Sequence, residues 1–460
     1  MEKIRTNVFE ENRRLKEQLA YKTKQANNWQ IKYNQLIIEL QKTQSLLNQF
    51  LNANTPSSKL PFTVRYAQRE KESKPRGKPP GSNGATKEKP SRVDKKVKAK
   101  LEKTCARCGK PIIKSEIVKQ IKYIYDVIIQ PQIIEVEEEL YYCDCGECCR
   151  GKHPEIPDRG MIGYNLQSLF TELKYNFSGS YGKISEFILN VTDGEITFSA
   201  QAINDCLNRI STELEISYEN MEDKIKETKY SYTDETTWPV NGARWWLWML
   251  VMENFVFIKI QNSRARMVLT DLFTEDYQGV IISDCFKVYQ NFGKWFQKCW
   301  VHLLRKVEFE MEKDPGGDLE ILYRQLKYLY EEMIKFLKED SSEIVRQKKK
   351  KYFERKLNKI INYDGWCSEA KAIIKNWLIE YRGHWLTAIE VPGISLNNNA
   401  AERGIRKTIG WRKMLGGHRT REGTRNYAII ETHRQTWKLQ NKSPYYELIS
   451  FLKYPVECVV

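Results

Sequence analysis

Three carboxylates and a cluster of thiols are the residues whose type and spacing point to chemistry. Asp234 follows the aromatic and β-branched run YSYT, Asp284 closes the apolar run VIIS, and Glu402 stands in the first turn of a helical segment that Asn397–Asn399 are placed to cap. Carboxylate oxygens are the ligands that hard divalent cations prefer. Two such ions, held by acids from separate elements, activate the attacking oxygen and stabilise the leaving oxygen of an in-line phosphoryl displacement. Singly, each acid is ordinary: an Asp at a strand end is a turn residue, and a first-turn Glu complements the helix dipole. Only their convergence would make a site. Glu235 is the nearest substitute for Asp234, but adjacent residues of a strand point to opposite faces, which ranks it second.

The thiols lie upstream. Cys105 and Cys108 form a C-x-x-C knuckle, and Cys143, Cys145, Cys148 and Cys149 follow in YYCDCGECC, six Cys within 45 residues. Tetrahedral zinc takes four thiolates, and two knuckles at strand ends supply two each. One structural Zn²⁺ is expected, held by Cys105 and Cys108 together with Cys143 and either Cys145 or Cys148. The stretches EIVKQIKYIYDVIIQ and QIIEVEEELYY alternate in polarity and predict a hairpin between the knuckles. Cys206, Cys285, Cys299, Cys367 and Cys458 are scattered and read as packing residues.

The elements that must position these groups can be read in order. Residues 1–54 lack Pro and Gly and predict one long helix. Val8, Leu15, Leu19, Ala26, Trp29, Tyr33, Leu36, Leu40, Leu47 and Phe50 fall on alternating three- and four-residue steps, with Asn12, Lys22 and Thr43 the polar members of that seam. Such a seam predicts a coiled coil pairing two protomers. Residues 55–103 form a Pro/Gly/Lys linker, 104–150 the zinc-binding module and 151–228 a helical region. From 229 the period changes. YSYTDETTW, WWLWMLVM and FVFIKIQN predict a meander of strands, RARMVLTDLF a helix, GVIISD a buried strand and KCWVH a further strand. Residues from about 303 to 390 are charged and helical in pattern, SLNNNAAERGIRK opens a late helix, and 441–460 read as a tail. A strand–strand–strand–helix–strand order makes Asp234 and Asp284 neighbours if the fourth strand pairs with the first. No internal repeat is evident.

Composition narrows the function. Of 460 residues, 41% are hydrophobic and 29% charged, which supports a packed core. The longest apolar run, Trp245 to Met252, is far shorter than the ~20 residues of a membrane helix. The N-terminus has no signal-like apolar stretch, so an intracellular protein with reduced thiols is expected. The net charge is +16 and is uneven. Residues 59–103 carry fifteen Lys/Arg against five Asp/Glu, and 403–438 carry ten against two. Two dense basic zones favour a polyanion partner, nucleic acid first. In the second zone Arg412, Lys413, Arg419, Arg421 and Arg425 surround the turn Gly416-Gly417, which suits backbone approach to phosphates. Arg403, Arg406 and Lys407 share the helix of Glu402, and Arg406, four residues on, is equally placed to pair with that Glu. Trp245, Trp246 and Trp248 read as core strand.

The motifs TDETTWPVNGARWWLWMLV, GVIISDCFKVYQ, KCWVHLLRK and NNNAAERGIRKTIGWRKMLGGHRTREGT stand in an order that resembles the transposases of the insertion sequence 66 family. The resemblance runs from about Cys105 to the C-terminus. It implies an α/β catalytic core over 229–440, a ribonuclease H-like mixed sheet with a helical insertion. That core would follow the coiled-coil helix, a zinc-ribbon-like module and a helical DNA-binding region. It implies a DDE triad of Asp234, Asp284 and Glu402 using two Mg²⁺ (or Mn²⁺) ions. It makes His302 an active-site neighbour that contacts DNA or orients a carboxylate; a packed His at a strand–helix junction fits the position equally. The implied partners are double-stranded DNA, both element terminal repeats and target, a second copy of the chain, and accessory proteins encoded by the element. The implied location is the prokaryotic cytoplasm, at the nucleoid. A nuclease of the same fold without strand transfer, and a non-enzymatic zinc and coiled-coil DNA-binding regulator, are the competing functions.

Overall fold

The structure, a computed structural model, describes residues 121–289, 295–312 and 317–454, together with 90–98 and scattered positions within 11–37 and 104–111. The chain divides into two compact units, Met1–Asp126 and Val127–Val460. In the first, the described positions between 11 and 37 are helical, and the seam residues Leu15, Leu19, Trp29, Tyr33 and Leu36 are exposed. Val8, Asn12, Leu40, Thr43, Leu47 and Phe50 of the predicted seam, most of the basic linker, and Cys105 and Cys108 lie outside the described residues.

The second unit opens with a small hairpin of β1 (Leu140–Tyr142) and β2 (Cys148–Arg150), with Tyr142 opposite Cys148. Its turn is closed by Cys143 N–H donating to the Glu147 carbonyl (2.8 Å) and Gly146 N–H donating to that of Cys143 (2.9 Å). The strand pairing thus lies across the second Cys knuckle. The hairpin expected upstream is not found: residues 121–139 carry no strand. Alternation shows which face a strand would bury, and here no partner strand stands against it among the described residues.

Three helices follow, α1 (Tyr164–Thr171), α2 (Tyr181–Val191) and α3 (Ala200–Lys224). Ser180 and Ser199 cap the latter two by accepting from Lys183 and Ala202 N–H. Then comes a mixed sheet of five strands in the order β5-β4-β3-β6-β7. β3 (Tyr230–Val240), β4 (Ala243–Val251) and β5 (Val256–Gln261) form an antiparallel meander; β6 (Val280–Ser283) lies parallel to β3, and β7 (Trp295–Lys298) parallel to β6. Asn241 and Gly242, both at positive φ, make the two-residue β3–β4 turn, which needs left-handed backbone at both positions. Helix α4 (Met267–Phe273) makes the crossover from β5 to β6.

After β7 the chain enters the helical insertion: α5 (Trp300–Met311), α6 (Asp318–Phe336), α7 (Glu343–Ile361), α8 (Ser368–Ile373) and α9 (Thr387–Glu390). Leu322, Leu326, Leu329, Met333 and Phe336 supply the buried stripe of α6 at three- and four-residue steps. KCWVH is not a strand. β7 stops at Lys298, and Trp300 begins a helix whose first turn is bonded to a distant segment, Trp300 N–H donating to Leu396 O (2.9 Å). The last helices are α10 (Asn399–Leu415), α11 (Arg421–Leu439) and α12 (Pro444–Lys453). α11 closes the sheet edge: Thr432 and Thr436 hydroxyls accept from Ile258 and Val256 N–H, both at 3.0 Å, so β5 presents no free ladder there. α12 occupies the stretch read as a tail and packs on α1, with Ser168 Oγ donating to Tyr445 O (2.7 Å). The helices of 164–224 share one continuous core with the sheet, for example through Tyr218, stacked on Phe257 and bonded to Ile258 O (3.0 Å).

Candidate active site

The parallel register of β3 and β6 aligns two acids. Tyr232 faces Ile282 across the ladder, and two residues further on stand Asp234 and Asp284. Since side chains repeat with period two, both share the face of that pair. β6 ends at Ser283, whereas β3 continues to Val240 on its β4 side; Asp234 is therefore internal to its strand rather than at its end. Asp284 accepts from Phe286 N–H at Oδ1 (2.9 Å), and its carbonyl accepts from the buried Lys298 ammonium (2.9 Å). Asp234 Oδ1 accepts from the Glu235 N–H (3.0 Å). Burial pushes the Asp234 carboxyl well above the ordinary carboxylate range, and the charges of Glu235, Asp284 and Glu402 push the same way.

Glu402 arrives on the first turn of α10, and that turn is stitched to β3. Asn398, at the N-cap position, does not cap with its side chain; its Nδ2 donates to Thr233 O (2.9 Å), the residue before Asp234. Its backbone N–H donates to Cys299 Sγ (3.2 Å). Asn397 Oδ1 accepts from the N–H of Asn399, the first residue of α10 (3.1 Å). Ser395 N–H donates to the Tyr232 hydroxyl (2.8 Å). Glu402 thereby lies 3.7 Å (Oε1) from His302 Nδ1 and 3.6 and 3.9 Å (Oε2) from Arg305 Nη1 and Arg406 Nη2. The helical insertion and the late helix thus meet at one carboxylate. Glu235 is occupied elsewhere: its side chain is 2% exposed, accepting from Arg264 Nε and Nη2 (3.0 and 2.6 Å) and from the Tyr289 hydroxyl.

A family model described as the Transposase IS66 family matches residues 159–426, more than half of the chain and a span containing all three acids. The chain belongs to the IS66 transposase family. No curated protein matches it. Transposases act on DNA, and the family's chemistry uses divalent metal ions. Among the described residues, no helix is long and apolar enough to cross a membrane.

The basic residues of this IS66-family chain divide into two groups. Arg403, Arg406, Lys407, Lys413, Arg419 and Arg421 are exposed, Arg406 within reach of Glu402 and Arg421 over the Trp245 ring. Arg412 differs. It turns onto β3, where Nη1 donates to Thr236 Oγ1 (3.2 Å), Thr237 Oγ1 (2.9 Å) and the Thr237 carbonyl. Arg425 pairs with Glu215 (2.5 Å) and Glu219 (3.3 Å) on α3. The close approach that the glycine turn permits is also internal. Gly416 ends α10 in left-handed conformation, and a Cβ on Gly417 would overlap the Pro239 carbonyl. His418 N–H donates to that carbonyl (3.0 Å), which locks the turn to the end of β3.

Cys143, Cys145 and Cys148 border the β1–β2 turn, where hydrogen bonds from Cys145 lower the Cys143 pKa. One residue was missed from sequence. Cys299, read as packing, stands fully buried beside His302 and Glu402. The signal was present as Cys-x-x-His at 299–302, a spacing that puts both side chains on one face of a helix start.

Proposed function

We propose that the protein is a DNA transposase whose mixed sheet is a ribonuclease H-like core, with Asp234, Asp284 and Glu402 holding a pair of Mg²⁺ or Mn²⁺ ions. The reaction is hydrolysis of a phosphodiester at each element end, followed by attack of the freed 3′-hydroxyl on target DNA. The observation that carries this reading is the shared register of Asp234 and Asp284, met by Glu402 from α10. The donors suit the ions. They are oxygen ligands, Glu402 Oε1 is buried without a hydrogen-bond partner, and burial, with the charges of Glu235, Asp284 and Glu402, raises the cost of ionising Asp234, which a bound cation would offset. When bound, the ions would supply activation of the attacking oxygen and charge stabilisation on the leaving one.

The chain's own groups do the rest. His302 and Arg305 orient Glu402 from the insertion side. Arg403, Lys407, Lys413, Arg419 and Arg421 provide phosphate contacts along the exposed side of α10 and the following turn, while Arg412 supports β3. Cys105, Cys108, Cys143 and either Cys145 or Cys148 hold one structural zinc. The exposed apolar seam of the N-terminal helix pairs two copies, so that two element ends are held in one particle.

Asp234→Asn, Asp284→Asn and Glu402→Gln remove ligand charge while nearly preserving shape. Each should abolish Mg²⁺-dependent cleavage of DNA carrying the flanking element ends while leaving DNA binding intact. Near-normal cleavage by any of them would remove that residue from the triad. Cleavage without joined products in a strand-transfer assay would reduce the protein to a nuclease.

A further inference from the structure

One group of side chains is left unexplained by a site built from three carboxylates. Cys299 stands at the N-cap of α5 and His302 in its first turn, three residues apart. Glu402 reaches the same point from α10. One donor atom from each of the three lies within 4.8 Å of the others, and among the described residues this is the one such group of three. Two of its atoms, His302 Nδ1 and Glu402 Oε1, are buried without a hydrogen-bond partner, and so is the adjoining Asn398 Oδ1. Buried imidazole nitrogens and carboxylate oxygens are normally satisfied, and leaving one unpaired is costly. Both of these face each other at 3.7 Å, too long for a hydrogen bond but suited to sharing a ligand.

The donor types decide which ligand. Mg²⁺ takes oxygen and keeps its waters, whereas a thiolate with an imidazole and a carboxylate is a set for zinc or cobalt. Three protein ligands also leave the fourth tetrahedral position open. We propose that Cys299, His302 and Glu402 form a second metal site, selective for zinc-like ions, that shares Glu402 with the acid pair. The Cys299 thiol releases its proton to solvent as the ion binds. Resting on the reading of Glu402 as a triad member, the consequence is regulatory: an ion that takes Glu402 Oε1 withdraws that oxygen from Asp234 and Asp284. Zinc would then hold the chain in a resting state.

The test is a Co²⁺ titration of the full-length chain, without DNA or Mg²⁺. Wild type should take up one more equivalent per chain than Cys299→Ser, and the difference spectrum should carry the near-ultraviolet thiolate-to-cobalt band. The N-terminal thiols contribute equally to both and cancel. His302→Ala should lose the same equivalent. His302→Ala also serves if Cys299→Ser proves unfolded by circular dichroism, because it leaves the Asn398 bond to Cys299 in place. Equal uptake and superimposable spectra for wild type and a folded variant would overturn the site. Since nothing is turned over, this failure is separate from that of the triad, which the cleavage assay alone decides.

Discussion

Glu402 owes its position to a glycine. Gly404 lies two residues further along α10, where the helix crosses β4. A Cβ built there would overlap Met249 Sδ and stand 3.3 Å from both Met249 Cε and Gln435 Oε1. Met249 is fully buried, and it is the cross-strand partner of Asp234. The Gly404→Ala methyl therefore pushes the helix that carries one acid away from the strand pair that carries another. Nonbonded heavy atoms sit ~3.5–4.0 Å apart, so relief needs a displacement on the order of 1 Å. A methionine can bend, but Leu247, Trp248 and Leu250 around it are also fully buried. Overpacking costs ~1–3 kcal/mol, and the better helix propensity of Ala returns about 1. Stability should thus fall by at most ~2 kcal/mol in urea unfolding. Cleavage should fall far more, because misplacing a catalytic group by ~1 Å costs on the order of 100-fold. Adding Met249→Ala makes room, and the double variant should recover cleavage relative to Gly404→Ala alone. A Gly404→Ala protein that cleaves at the wild-type rate, or whose defect persists undiminished in a folded double variant, would refute the claim that this contact sets the acid geometry.

Three further outcomes are expected. Arg264→Ala strands the buried Glu235 carboxylate, and since the guanidinium is itself 40% exposed the cost should be nearer ~2 kcal/mol than the 3–5 of a fully buried pair; Arg264→Ala/Glu235→Gln should recover most of it in chemical denaturation. His433 is buried with Nδ1–H donating to Ile429 O (2.8 Å) and Nε2 accepting from Ser217 (3.0 Å), and burial lowers its pKa to about 4. A depressed histidine contributes stability above its unfolded pKa of ~6.5 that is lost as pH falls toward 4, roughly 3 kcal/mol at 1.36 per unit. The advantage of wild type over His433→Gln should shrink across that window; the opposite-signed titrations of Asp234 and Glu235, whose pKa values are raised, cancel in the comparison. Finally, Cys105→Ser or Cys108→Ser should release one zinc per chain by elemental analysis, and wild-type protein purified without chelator that holds none would end the zinc assignment.

What could be read from sequence was what local pattern determines. The strands YSYT, WWLWMLV, FVFIKI and VIIS announce themselves by β-branched and aromatic runs, and Asn241-Gly242 sets the first turn. Their order then leaves few ways to place Asp284 beside Asp234. The errors share one physical cause, which is that each depended on a partner far along the chain. Residues 121–139 alternate without a described strand to pair with. The strand through Asp234 does not stop there, because its β4 ladder continues after its β6 ladder ends. KCWVH reads as a strand because its helix begins without a capping side chain of its own, its backbone being bonded to Leu396 instead. Arg412 and Arg403 carry the same charge and lie nine residues apart on one helix, yet one faces solvent and the other the β3 threonines.

Cys299 is the sharpest case. As one of five scattered cysteines it carries no message, and burial alone would confirm it as packing. Its meaning comes from Asn398, which donates its N–H to the sulfur and its side-chain amide to Thr233, binding the start of α5, the start of α10 and the strand of Asp234 into one joint. A residue at that joint is adjacent to chemistry whatever its own side chain does. That a thiol occupies it, three residues before a histidine, is why metal preference becomes a question at a site whose acids alone would favour magnesium.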